Sequence, residues 1–294
     1  MGVSTVVTQR TAGLGTPSWV RRLAWATLLA NIGIVITGGA VRLSGSGLGC
    51  PAWPRCTDKS FTPHGALDLH SAIEFGNRTL TFVLTAIAVA TFVSALNTGR
   101  SDLRKLALLL GLSVPAQALL GGMTVLTDLN PWVVSFHLLF SMGIISLAVL
   151  YLHRTGQDGR TASESRGRSR PTTLTLAWST WAVTWVVLAM GTVVTGSGPH
   201  AGDVTAPRNG LDPLQVSQLH ADLVFLLVGL TVALVIVHPS LVTWTLLVVE
   251  LAQGLVGFVQ YFTDLPVVLV GFHLLGASVL TAVVTRTVIV VREG

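Results

Sequence analysis

AQALLGGMTVLTDLNPWVVSFHLL, residues 116–139, recurs as AQGLVGFVQYFTDLPVVLVGFHLL at residues 252–275. The two stretches align without a gap. Gln117 pairs with Gln253, Gly121 with Gly257, the Thr-Asp-Leu triplet at 127–129 with that at 263–265, and His137 with His273. Each copy is an apolar run, a polar break at Thr-Asp-Leu, and a second apolar run with one histidine about two turns in. A repeat at fixed spacing constrains the architecture before any local reading does. This one predicts two copies of a helical unit, each holding a histidine at the same depth.

Around the repeat the chain is 51% hydrophobic and only 11% charged, well under the roughly 25% charged residues of soluble domains. Apolar stretches near the ~20 residues that cross a bilayer occur at about 20–40, 69–96, 104–126, 132–152, 173–195, 214–237, 240–262 and 267–290. The expected fold is therefore all-α: a polytopic membrane protein whose eight transmembrane helices form two repeated four-helix bundles. No short apolar segment with a small-residue cleavage site opens the chain, so the first span is expected to stay as a helix.

With the N-terminus inside, thirteen Lys and Arg residues fall in cytoplasmic segments, against Arg42, Arg55, Lys59 and Arg208 on the other side. That bias over short loops predicts that both termini are cytoplasmic. It also accounts for the net charge of +5, with no nucleic acid among the partners. Residues 154–172, rich in Arg, Ser and Gly, read as a flexible cytoplasmic linker. The linker separates an N-terminal half, 20–153, from a C-terminal half, 173–294, with residues 1–19 as a polar, disordered tail. The first span exits through GGAVRLSGSG (38–47) and the fifth through GTVVTGSG (191–198), so the fronts of the halves also correspond.

Ionisable side chains inside a membrane are costly and carry a functional hypothesis by default. His70, Glu74, Asn77 and Arg78 in the second span fall on one helical face. They are either an internal ion pair, Glu74 with Arg78, or part of a site. His137, His220 and His273 lie in alternate spans at similar depth. Asp222 and Glu250 complete the inventory. Paired imidazoles from two helices of a bundle are a way of holding haem iron. Zinc or copper would take further cysteine or acidic ligands, and no cysteine or acidic cluster in these spans completes such a site. His64 and His200 are expected to cap the outward side, and His153 and His238 to lie on the cytoplasmic side. Cys50 and Cys56, with five residues between them in the first outward loop, suit a disulfide in an oxidising compartment; two free thiols or half a metal site are the alternatives.

Taken together, GGAVRLSGSGLGCPAWPRC after the first span, IEFGNR in the second, SFHLLF in the fourth, QLH in the sixth and GFHLL in the eighth resemble the bacterial heme A synthase family. The resemblance covers nearly the whole chain. It implies two four-helix halves, a bacterial plasma-membrane location, and oxidation of a methyl group of haem O to a formyl group, giving haem A for terminal oxidases. It also implies haem b as cofactor, ligated by His220 and His273 in the C-terminal half, and His137 in the N-terminal site where haem O is processed. Glu74 matches the family's acidic residue at that site, with Arg78 and Asn77 in support, and Cys50 and Cys56 match its outward disulfide. A membrane haem O synthase and an electron donor are the implied partners.

One position departs from the family pattern of Glu, two residues, His, Arg: Asn77 stands where the histidine is expected. Counting from the Gly-Ser-Gly exit pairs His70 with His220, whereas counting back from the Gln-containing span pairs Asn77 with it. His70 is then the candidate second ligand to the substrate haem, with ligation by His137 alone as the alternative. The third outward loop carries no cysteine, which leaves one disulfide at most. Two competing readings use the same residues: a bis-histidine cytochrome passing electrons across the bilayer, and a transporter with repeated halves. The first has no use for Glu74 or the outward cysteines, and the broken helices with unwound centres that suit the second are not evident in the sequence.

Overall fold

A computed structural model describes residues 15–63, 69–157 and 170–293; His64, most of the polar tail and most of the linker lie outside them. The described residues form eight helices: α1 (Pro17–Leu43), α2 (Leu69–Leu96), α3 (Ser101–Leu126), α4 (Pro131–Thr155), α5 (Pro171–Ser197), α6 (Pro213–Val237), α7 (Leu241–Phe262) and α8 (Val267–Glu293). All eight are long and apolar enough to cross a membrane. Each expected span lies within a few residues of its helix. A helix is the form in which a single segment satisfies its own backbone in hydrocarbon.

Local chemistry sets the starts. Proline opens α1, α4, α5 and α6, where its missing N–H costs no hydrogen bond. Asn130 accepts from the Trp132 N–H at 3.0 Å, and Asp212 from the Leu214 N–H at 2.8 Å. Ser240 and Thr243 form a capping box at α7, satisfying otherwise orphaned donors.

The repeat is reproduced down to its turns. Asp128 and Leu129 adopt φ of 50° and 59°, and Asp264 and Leu265 adopt 58° and 55°. In each copy the leucine N–H bonds back across the turn at 2.8 Å, Leu129 to the Thr124 carbonyl and Leu265 to that of Gln260. Two consecutive left-handed residues, neither of them glycine, are unusual. Their recurrence at the same register makes α3–α4 and α7–α8 the same hairpin.

Within the first half α1, α2, α3 and α4 pack as a closed ring, and α5, α6, α7 and α8 do the same in the second. The halves meet through α1, α4, α5 and α8, whereas α2, α3, α6 and α7 touch only their own ring. The shared core runs along α4, where Met142, Ile145, Ala148 and Tyr151 are buried and Ala277, Ala282 and Ile289 of α8 pack against the cluster. Small hydroxyl residues let these helices approach: Thr285 donates to Ser146 at 3.0 Å, and Thr27 and Thr91 bond α1 to α2 at 2.9 Å. Most of the threonines in the spans also return their hydroxyl to a carbonyl one turn back, as Thr184 does to Thr180 at 2.9 Å, so they bring no unsatisfied donor into the apolar layer.

Candidate functional site

His220 and His273 stand on α6 and α8, opposite corners of the second ring with no direct backbone contact between them. Their imidazoles reach into the space between, with ring centroids 6.5 Å apart and planes at 78°. A metal–nitrogen bond of about 2 Å to each ring fits one metal atom within that separation. Glycines clear the approach. A Cβ at Gly191 of α5 would lie 3.3 Å from Cε1 of His220, and one at Gly257 of α7 would lie 3.5 Å from Cε1 of His273. Each imidazole therefore brings its Cε1 close to bare backbone, where a larger side chain would collide with the ring. Among the described residues no group of three His, Cys, Asp or Glu side chains converges. This donor set suits a metal that brings its own equatorial ligands, as haem iron does.

Gln253 supports His273, while Nδ1 of His220 is buried without a hydrogen-bond partner among the described residues. With its amide turned to satisfy its neighbours, the side-chain nitrogen donates to Nδ1 of His273 at 2.8 Å, and the oxygen accepts from the Gly276 and Ala277 N–H groups at 3.2 and 3.3 Å. A ring that ligates a metal through Nε2 carries its proton on Nδ1 and is then served by the acceptor end of the amide, so metal binding would turn Gln253 to present its oxygen. Such partners fix the orientation of ligating imidazoles.

The first half repeats this arrangement with two changes. His137 on α4 lies against Gly121 of α3, whose Cβ would come 3.4 Å from Cε1, matching Gly257 and His273. The place of His220, against the glycine of the ring's first helix, is taken by Asn77. A Cβ at Gly38 of α1 would lie 4.0 Å from Asn77 Nδ2, and Thr37 donates to Asn77 Oδ1 at 2.8 Å. His70 is not brought to this position. It is exposed at the start of α2, where its Nδ1 lies 3.0 Å from the Ser46 hydroxyl. The second change concerns Gln117, which donates to the Ser141 hydroxyl and, at 3.5 Å, to the His137 carbonyl. Nδ1 of His137 is buried without a hydrogen-bond partner among the described residues.

Glu74, one turn from Asn77 on α2, is buried. One carboxylate oxygen accepts from the Cys50 N–H at 2.6 Å; the other accepts from the Arg78 guanidinium. Arg78 also donates to the carbonyls of Cys50, Ala52 and Arg55 at 2.6, 3.2 and 3.1 Å. Cys50 and Cys56 are disulfide-bonded. The ion pair and the disulfide loop are thus one assembly, and the loop continues across the bundle. Trp53 occupies the space a Cβ at Gly122 of α3 would need, and Leu129 of the α3–α4 turn packs on Gly47. A second clamp joins the halves at the same end: Arg42 donates to the carbonyls of His200 at 2.7 Å and Thr195 at 3.2 Å. His200 in turn bonds the Leu265 carbonyl at 2.8 Å.

Of the remaining candidates, Asp222 is exposed on α6. Glu250 is buried on α7, accepting from Thr231 at 2.8 Å. His153 reaches Glu293 at 2.8 Å at the opposite end of the molecule. Sequence reasoning missed the four glycines and the clamp formed by Arg42. The Gly121/Gly257 identity was the visible signal for the glycines, since small residues at fixed places in membrane helices mark close approach.

The sequence pattern of the family described as cytochrome oxidase assembly protein matches residues 21–209. The chain is 29% identical over 163 residues to the heme A synthase of Shewanella oneidensis, covering 50% of this chain and 48% of that protein. To the heme A synthase of Geobacillus kaustophilus it is 29% identical over 147 residues, 48% of this chain and 45% of that protein. It is also 36% identical over 84 residues to a protoheme IX farnesyltransferase of Thermus thermophilus, 28% of this chain and 14% of that protein. The chain spans about half the length of the heme A synthases it matches.

Proposed function

Because the chain belongs to the cytochrome oxidase assembly protein family, we propose that it is a heme A synthase, a membrane oxidoreductase that converts a methyl group of haem O to the formyl group of haem A. The observation that carries this reading is the pair His220 and His273, facing across one bundle at 6.5 Å while the repeated bundle holds a single histidine in the matching space. Two identical cytochrome sites would serve electron transfer alone; a facing histidine pair beside a lone histidine suits a resident cofactor beside a substrate.

The C-terminal half, 173–294, holds haem b through His220 and His273, and this group supplies one-electron chemistry. Gln253 holds the His273 ring against turning. The N-terminal half, 20–153, receives haem O, with His137 as its iron ligand. Glu74 is the acid–base group of that half. Its carboxylate lies one turn from Asn77 and is oriented by Arg78 and the Cys50 N–H, an arrangement that can hold or release a proton beside the substrate. The Cys50–Cys56 disulfide braces the loop that supplies those contacts.

The positive-inside bias supports cytoplasmic termini, with the disulfide end facing the outside of a bacterial plasma membrane and residues 154–172 as a cytoplasmic linker. Haem O arrives from a membrane haem O synthase, a partnership supported by the match to a protoheme IX farnesyltransferase, and an electron donor completes the set. Expression with a haem O source, followed by extraction and identification of the haems, tests the reading. Haem A is expected, and haem b alone would overturn it. Glu74→Ala should leave haem b in place and abolish the hydroxylated product; undiminished haem A from that variant would remove Glu74 from the reaction.

A further inference from the structure

The two bundles offer four quasi-equivalent places in which one side chain lies against a helix glycine. Three hold imidazoles: His137 on Gly121, His220 on Gly191 and His273 on Gly257, each with Cε1 3.3–3.5 Å from the position of the missing Cβ. The fourth, on Gly38, holds the Asn77 amide. This correspondence comes from internal contacts of the chain. It points to Asn77, at a looser 4.0 Å from the place of a Cβ on Gly38, as the residue of α2 in the place that His220 fills in α6. His70 is near the first turn of α2, on the rim, and is already engaged by Ser46.

An amide has no lone pair suited to strong axial ligation of haem iron, where imidazole, thiolate, thioether or phenolate serve. The Asn77 oxygen is also committed, accepting from Thr37 at 2.8 Å. What remains toward Gly38 is the NH2 end, a donor. We propose that the N-terminal bundle ligates its iron from one side only, through His137, and that Asn77 leaves the opposite axial face open to a small diatomic ligand and donates a hydrogen bond to it. This inference rests on the reading that the N-terminal half takes up haem O. It adds which face of that haem is free, and which residue meets a guest there.

The missing brace on the proximal side agrees with it. Gln253 reaches the ring of His273, but Gln117 turns to Ser141. Ala277 stands at the position in α8 that corresponds to Ser141, so no hydroxyl there competes for Gln253. The C-terminal site therefore braces one of its two imidazoles, whereas the N-terminal site leaves its one imidazole unbraced.

The test uses the full chain, loaded anaerobically with haem O, reduced, and titrated with carbon monoxide. One of the two haems is expected to form the carbon monoxide adduct and to be high-spin before it is added; the other stays low-spin. If neither haem binds carbon monoxide and both are low-spin, some other group closes the sixth position and the proposal falls. Asn77→His should convert the reactive haem to low-spin and abolish the adduct, and an adduct that persists would overturn the assignment of Asn77. Asn77→Leu should keep the adduct but shift its C–O stretching frequency, and an unmoved frequency would refute the hydrogen bond. If Asn77→His fails to fold, His220→Asn provides the converse: both haems should then bind carbon monoxide, and a second site that stays closed would count against the equivalence. Uptake of a single haem would refute the N-terminal haem site itself. A chain that makes haem A with both haems six-coordinate would overturn this inference and leave the proposed activity standing.

Discussion

Gly276 has no room for a side chain, because Gln253 fills the place its Cβ would take. Gly276→Ala must therefore push the amide away from His273. Losing a partner of this kind typically weakens metal affinity by about 10–100-fold, and titrating the haem-free variant with haem b should read that loss at the C-terminal site. A substitution at Gly191 acts more directly. Val in place of Gly191 would put branched carbons into the His220 ring, which already lies 3.3 Å from the position of a Cβ; loss of the low-spin haem b spectrum is the expected outcome. At this scale the sequence was legible where chemistry is rare. Histidines, Glu74 and the cysteines announce themselves in an apolar chain. Glycines do not, since thirty of them serve turns, exits and packing alike, and only contacts distinguish the four that face a ligand position.

At the level of the helix, patterning was decisive, because an apolar run of bilayer length has one stable form. The pairing of α2 with α6 was not legible. The loops before these helices differ in length and sequence, so counting from one end selects His70 and from the other Asn77; the approach of Asn77 to Gly38 is a contact that counting could not supply. The Thr-Asp-Leu turns show the reverse case, a motif whose identity in both copies was plain but whose backbone was not. Asp264 holds φ of 58° on an exposed turn, a conformation that a β-branched side chain resists. Asp264→Val should destabilise the α7–α8 hairpin by roughly 1–2 kcal/mol, read as a lower thermal midpoint in detergent. Asp264→Gly should not, and the contrast between the two separates backbone strain from the loss of a carboxylate.

For the molecule as a whole, the closed rings and the buried seam along α1, α4, α5 and α8 imply that the halves recognise each other without help from the chain between them. A gene split between Gln157 and Arg170 should yield two polypeptides that copurify and retain the bis-histidine haem spectrum. Separate, haem-free halves would place the linker among the elements that hold the fold. Two-half symmetry was legible from the repeat alone. The seam was not, because α1 and α4 carry no more apolar residues than the helices at the periphery, and which helices face a second bundle is decided by how small residues such as Ser146 and Thr285 let backbones meet.

The disulfide loop described above is pinned to α2 through Glu74 and Arg78, to α3 through Trp53, and to the α3–α4 turn through Gly47. The loop is thus fastened to the first bundle at three points, directly above Glu74. Helices α2 and α3 pack on each other and on no helix of the other half. On the proposal that haem O is the guest of that half, these two helices are the surface it would meet on coming from the plane of the membrane.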